Sequence, residues 1–404
     1  MEKEILIQKE RKSEIRNIRI ESIDLLRGLV MILMALDHTR DFFHIDAWKD
    51  DPLNLETTTP VLFLTRWITH FCAPVFVFLA GTSAWLQGQI KTKKELSSFL
   101  IKRGFWLIMI EVLIINFAFS FDPHFQIIGL QVIWAIGVSM IFLGFIIWLP
   151  FKYILTMAII IISGHNLLDY YEASQTGQFS LLYSLLHHQG FYTIGDKLNI
   201  FIIYPVLPWT GLMIAGYCFG RLFTDYHGKE RNKILIRAGI STILFFILLR
   251  TLNIYGDPEK WSQQKNLLYS IFSFIETQKY PPSLLYICMT IGPAILFLVQ
   301  FDNVRNKISR IITIYGRVPF FYYILHFYLI HALSMLFFLA RGHRFEEGIY
   351  TGNIVLPNFI VSGEGYSLGV VYLVWLFVII CLYPLCKWYS GYKKTHKQWW
   401  LSYL

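Results

Sequence analysis

Ionisable side chains interrupt a helix-length apolar run from Ser22-Ile23-Asp24-Leu25-Leu26-Arg27-Gly28 through Asp37-His38-Thr39-Arg40-Asp41-Phe42-Phe43-His44. At membrane depth such groups are costly, and they face a bundle interior or water. Arg27 and His38 are eleven residues apart. At 3.6 residues per turn this returns them to nearly one helix face, with a rise of roughly 16 Å. Asp41, at i+3 from His38, is placed to orient the imidazole or balance its charge. Asp37 lies about 100° round the helix, and Arg40 and His44 form an i,i+4 pair. An imidazole with a carboxylate partner can act as a general base at neutral pH. The competing reading is an outer helix end wetted by headgroups, with Arg40 and Asp41 merely solvated.

Other polar groups fall inside apolar runs. Arg66 and His70 are i,i+4 neighbours, Glu111 and Asn116 share a third run, and Gln131 opens a fourth. His326 and His331 lie together further on. Such a histidine can touch substrate or simply bond a carbonyl. Glu111 reads as a buried partner for an arginine such as Arg66 or Arg27. The five cysteines (Cys72, Cys218, Cys288, Cys381 and Cys386) form no C-x-x-C and show no zinc spacing with histidine, so they read as small packing residues. No P-loop, G-x-G-x-x-G, G-x-S-x-G or H-E-x-x-H motif occurs, and no metal site is expected.

These residues need a membrane scaffold to position them. Of 404 residues 55% are hydrophobic and 16% charged, whereas a soluble domain is about a quarter charged. The apolar residues come in long repeated runs. The expected fold is all-α, a polytopic membrane bundle of about ten, or eleven, transmembrane helices. The candidate spans are roughly 23–44, 60–87, 101–121, 127–149, 153–169, 198–222, 233–252, 282–301, 310–338 and 368–388. The net charge of +9 is carried in short loops and tails, which suits bilayer anchoring better than nucleic acid. Lysines and arginines alternate between loops so as to place both termini in the cytoplasm. The first helix is followed by no cleavage site and reads as retained. The chain divides into a charged tail over 1–20, mobile or interfacial, a transmembrane domain over 21–390, and a cytoplasmic tail over 391–404.

The Asp24-x-x-Arg27-Gly28 start and the Arg27-x10-His38 spacing resemble the first helix of the transmembrane acyltransferase superfamily. More narrowly, the chain resembles bacterial relatives of heparan-α-glucosaminide N-acetyltransferase. Supporting segments are Leu33-Met34-Ala35-Leu36-Asp37-His38, Phe76-Val77-Phe78-Leu79-Ala80-Gly81-Thr82-Ser83, Leu130-Gln131 with Ala135-Ile136-Gly137-Val138, Pro208-Trp209-Thr210-Gly211, Tyr280-Pro281-Pro282-Ser283, and Gly316-Arg317-Val318-Pro319 leading to His326.

The resemblance implies an acetyl-CoA-dependent N- or O-acetyltransferase of the bacterial cytoplasmic membrane. It would move an acyl group from cytoplasmic acyl-CoA to a sugar or glycan on the outer side, without metal and without nucleic acid, and a homodimer is allowed. His38 is the candidate base or acyl carrier, with Asp37 and Asp41 beside it and His44 as the second choice of histidine. A basic inner mouth of Arg27, Lys102, Arg103 and Arg317 would hold the CoA phosphates. Arg40, His44, Arg66, His70 and His326 are candidate acceptor contacts. The alternatives are a proton-coupled secondary transporter of a small solute, in which the same groups relay protons, and a non-catalytic scaffold.

Overall fold

The computed structural model describes residues 20–195, 198–302, 304–349, 357–396 and 398–402. The tail read over 1–20 lies outside these residues, apart from Ile20. The first helix, α1, is Glu21–Phe43, followed by α2 (Pro60–Thr69) and α3 (Cys72–Gly88). Next come α4 (Lys93–Ile110), a π-helical turn at Glu111–Ile115, α5 (Asn116–Ser120), β1 (Ile127–Leu130) and α6 (Val132–Ile146). After α7 (Phe151–Gly164), α8 (Leu167–Ser174) and α9 (Leu181–Leu186) the chain forms β2 (Gly190–Ile194) and β3 (Leu198–Ile202). The second half is built from α10 (Val206–Gly220), α11 (Leu222–Asp225), α12 (Gly228–Leu252), α13 (Leu267–Ile275), α14 (Leu284–Gln300), α15 (Lys307–Arg317), α16 (Pro319–Ala340) and α17 (Leu368–Thr395).

The protein is a helical membrane bundle. By length and composition six helical stretches among the described residues can cross a membrane: Pro60–Gly88, Phe151–Ser174, Val206–Asp225, Gly228–Leu252, Pro319–Ala340 and Leu368–Thr395. Val132–Ile146 and Leu284–Gln300 are shorter apolar helices. Large apolar side chains such as Phe105, Phe145, Ile160, Leu244 and Ile380 face outward, where lipid tails rather than water can cover them.

Local sequence sets the helix starts. Thr92 and Glu95 form a capping box on α4, and Asn306 and Ser309 do the same on α15. Thr59 caps α2 ahead of Pro60, and the Ser283 hydroxyl accepts from Tyr286 N to start α14. Val318 and Pro319 separate α15 from α16, because the proline ring cannot continue the preceding hydrogen-bond ladder.

Glycine lets the most intimate helix pairs touch backbone to backbone. A Cβ on Gly316 of α15 would stand 1.8 Å from the Asp24 carbonyl oxygen of α1, and one on Gly28 would stand 2.0 Å from that of Ile312. The α3–α10 crossing is alike: a Cβ on Gly81 would stand 2.0 Å from the Met213 carbonyl oxygen, and one on Gly216 2.0 Å from that of Phe78. Small residues at such crossings suit a bilayer, where van der Waals packing holds helices together. Glycines also face each other between α4 and α6 (Gly104, Gly137) and between α12 and α14 (Gly239, Gly292).

The expected span 310–338 is two helices, α15 and α16, and two other stretches depart from the sequence reading. The stretches 127–149 and 198–222 do not begin as helices. They begin as β1 and β3, which pair in parallel, and β2 pairs antiparallel with β3, giving the order β1-β3-β2. Runs of four or five apolar residues look alike as strand or helix end. The π-helical turn explains how β1 is held. Asn116, directly after it, donates to the carbonyls of Glu111 and Gly129 and accepts from Gly129 N at 2.6 Å.

Candidate active site

A cavity of about 900 Å³ runs through the bundle alongside α1. Arg27 lines it near the start of that helix, with Lys91, Arg103, Arg317 and Lys393. Met31, Met34, Ala80, Leu107 and Met140 form an apolar middle. Toward the end of α1 the wall carries Asp37, His38, Arg40, Asp41 and Arg66, with Trp48, Asp50 and Asp51 beyond them. A volume near the top of the usual small-ligand range, mostly apolar with a few convergent polar groups, is what a binding site requires.

The polar end is built by three elements. Arg66 of α2 donates from Nη1 to both carboxylate oxygens of Asp37, at 2.7 and 2.5 Å. Arg40 Nη2 donates to Asp37 Oδ1 at 3.1 Å and to Asp41 Oδ1 at 2.5 Å. The two carboxylates and two guanidiniums thus balance in charge. The Trp48 indole N–H donates to the Asp41 carbonyl at 2.8 Å, folding the segment after α1 over the cavity mouth.

His38 sits beside this network without joining it. Its Nδ1 is 4.0 Å from Asp41 Oδ2, beyond hydrogen-bond reach, and has no partner among the described residues. The ring rests 4.2 Å from that of Phe327 and 5.2 Å from that of His326. His326 is fully buried, lies parallel to Tyr322, and is outside the cavity wall. It backs His38.

The expected residues do not all converge. His44 caps the end of α1 and bridges to Tyr366, away from the cavity. His70 is buried against Tyr286, whose hydroxyl donates to the His70 carbonyl at 2.8 Å. Lys102 is exposed on the outer side of α4, whereas its neighbour Arg103 lines the cavity. Arg27 lines the cavity but is also a clamp: Nη2 donates to Ser83 Oγ at 2.9 Å, and Nη1 reaches Asp24 Oδ1 at 3.3 Å and the Gly316 carbonyl at 3.4 Å. Glu111 pairs with no arginine among the described residues. Its Oε1 accepts from Gln131 N at 3.3 Å, where the backbone N–H groups that open α6 have no carbonyl within the helix to bond.

Residues not singled out from sequence complete the wall. Lys279 and Tyr280, from the loop before α14, face the cavity with Tyr204, Tyr323 and Gln189. Lys279 lies 4.9 Å over the Tyr280 ring. Burial alone would raise the Tyr280 phenol, but the Lys279 and Arg66 cations outweigh it and hold the group below its ordinary range. The Tyr280-Pro281-Pro282-Ser283 segment was visible in the sequence. Nothing in its spacing linked it to His38.

A helical membrane bundle with a long cavity, basic at one end and lined by an imidazole at the other, defines a multi-pass membrane protein. Residues 19–256, more than half of the chain, match the family model described as heparan-alpha-glucosaminide N-acetyltransferase, catalytic, and the chain belongs to this family of membrane acetyltransferases. No curated protein matches the sequence.

Proposed function

We propose that the protein transfers an acetyl group from acetyl-CoA to an amine or hydroxyl of a sugar or glycan, with donor and acceptor meeting beside His38. The observation that best supports this reading is that Arg27 and His38 line the same cavity, one near each end of α1. Arg103, Arg317, Lys91 and Lys393 neutralise the CoA phosphates, as guanidinium and ammonium groups do elsewhere. The pantetheine arm follows the apolar middle past Met31 and Met34. The thioester then reaches the level of His38.

There the acceptor nitrogen or oxygen attacks the thioester carbon while the His38 imidazole takes its proton. The C–S bond breaks, sulfur leaves as thiolate, and that thiolate takes up a proton to give free CoA. Lys279 offers positive charge to the oxyanion formed on the way. The Asp37–Arg66–Arg40–Asp41 network holds the α1 end rigid around this centre. An acyl-histidine intermediate needs the same imidazole and remains within this reading.

The start of α1 and the end of α17 both lie at the basic end, where Glu21 pairs with Arg305 and Lys393 lines the cavity. This supports a basic mouth on the cytoplasmic side of the bacterial inner membrane, with both described chain ends there and the acceptor arriving from outside. The test is release of free CoA thiol from purified full-length protein given acetyl-CoA and glucosamine-type acceptors. Acceptor-dependent release that vanishes in a folded His38→Ala variant is the expected result. Unchanged release in that variant, or solute uptake into liposomes with no acyl chemistry, overturns the reading and favours the transporter.

A further inference from the structure

A second cluster of chemically capable side chains lies apart from the cavity, where α8 meets the segment after α9. Glu172 of α8 accepts from three directions: His187 Nδ1 at 2.8 Å, His188 Nδ1 at 3.0 Å and the Tyr183 hydroxyl at 3.0 Å. Asp169, one turn earlier on α8, completes a group with Glu172 and His187 in which one donor atom from each lies within 4.8 Å of the others. His165, at the end of α7, is 3% exposed and directs Nδ1 to His187 Nε2 at 3.1 Å. Its other ring nitrogen has no partner among the described residues. His187 itself is fully buried.

One imidazole and two carboxylates form a donor set that borderline divalent metals take, zinc among them, with water free to complete the shell. Tetrahedral zinc, with bonds of about 2.0–2.1 Å, sets neighbouring donors roughly 3.3 Å apart. The Glu172 Oε1–His187 Nδ1 pair, at 2.8 Å, is within about half an ångström of that spacing, while His165 meets the opposite ring nitrogen of His187 at 3.1 Å and orients that imidazole from behind. A cation bound here displaces the proton between His187 Nδ1 and Glu172.

We propose that His187, Glu172 and Asp169, with His165 holding the His187 ring from its other nitrogen, form a binding site for a divalent transition metal of the zinc class. The site ties α8 to the residues that lead into β2. Gln189, two residues past His187, lines the cavity and donates to the Ile203 carbonyl at 3.2 Å. The metal therefore braces the strand hairpin forming the cavity's outer wall and takes no part in acyl chemistry. The sequence pattern concealed the site, because the ligands come from two separate segments and no short motif unites them.

The test uses full-length protein purified in detergent without a histidine tag. After exposure to zinc sulfate and gel filtration, elemental analysis should find about one zinc per chain, and EDTA should lower the melting midpoint in a way that added zinc reverses. Glu172→Gln and Asp169→Asn, which keep side-chain volume, should lose both the bound zinc and the EDTA effect while still eluting as folded protein. Protein that retains no zinc and melts alike in EDTA and zinc overturns the proposal. Equal zinc retention in the wild type and both variants overturns it too, since the metal would then sit elsewhere. If one variant fails to fold, the other and the wild-type measurement still decide.

Discussion

Both carboxylate oxygens of Asp37 lie within 2.7 Å of one nitrogen of Arg66, so α1 and α2 are riveted together one residue before His38. The pair is mostly removed from solvent. Breaking a buried pair strands a charge and costs about 3–5 kcal/mol, whereas replacing both partners with apolar groups can be nearly neutral. Arg66→Met should therefore lower the melting midpoint sharply. The double variant Asp37→Leu/Arg66→Met should recover part of that loss while remaining inactive. A double variant as unstable as the single one would show that Arg66 stabilises through other contacts.

Gly316→Ala places a methyl group against the Asp24 backbone, where no side-chain rotation can relieve it. It should abolish monodisperse folded protein, a loss above about 4 kcal/mol. Gly164→Ala is the control. A Cβ there meets nothing within 4 Å, and its effect should stay within about 1 kcal/mol. Detergent gel filtration of the two variants side by side makes the comparison.

Lys102 and Arg103 are adjacent in sequence and differ in surroundings, which separates bilayer anchoring from ligand contact. Arg103→Ala and Arg317→Ala should each raise KM for acetyl-CoA about tenfold, the worth of one charge-assisted contact. Lys102→Ala should leave it unchanged. His38→Ala should lower turnover by about 10²–10⁴-fold, the range for loss of a general base. Steady-state thiol-release kinetics on the four variants read all of these values.

Glu276, in the loop after α13, is pushed up to about 7 by burial, with Glu259 and Asp51 adding to the effect. Its folded value exceeds its ordinary one, so the folded state holds the proton more tightly. The resulting stability is present below about pH 4.5 and is lost as pH rises through about 7. Glu276→Gln should raise the melting midpoint at pH 8 and change it little at pH 5. Equal shifts at both values would show that the carboxylate is solvated.

The first helix was legible because charge inside an apolar run is conspicuous, and helical periodicity alone put Arg27 and His38 on one face. The pairing of Asp37 with Arg66 was not legible. It depends on how α2 docks, and the i,i+4 pattern had joined Arg66 to His70 instead. Glu111 was noticed for its burial but assigned an arginine, because the sequence does not reveal that α6 begins beside it after a strand. Lys279 and Tyr280 lie in a loop more than 200 residues from His38, and only tertiary packing makes them neighbours. The same holds for His165, Glu172 and His187, which only the packing of α8 against the segment after α9 brings together.

Bare backbone contact at Gly28 and Gly316 bears on which donors the proposed reaction would admit. With no side-chain cushion between α1 and α15, neither rod can slide along the other without collision. The interval from the Arg317 guanidinium of α15 to the His38 imidazole of α1 is thus as fixed as the marks on a ruler. A thioester carried on a truncated arm would stop short of the reacting centre however tightly its nucleotide were gripped, so selectivity among donors would follow length before it followed chemistry.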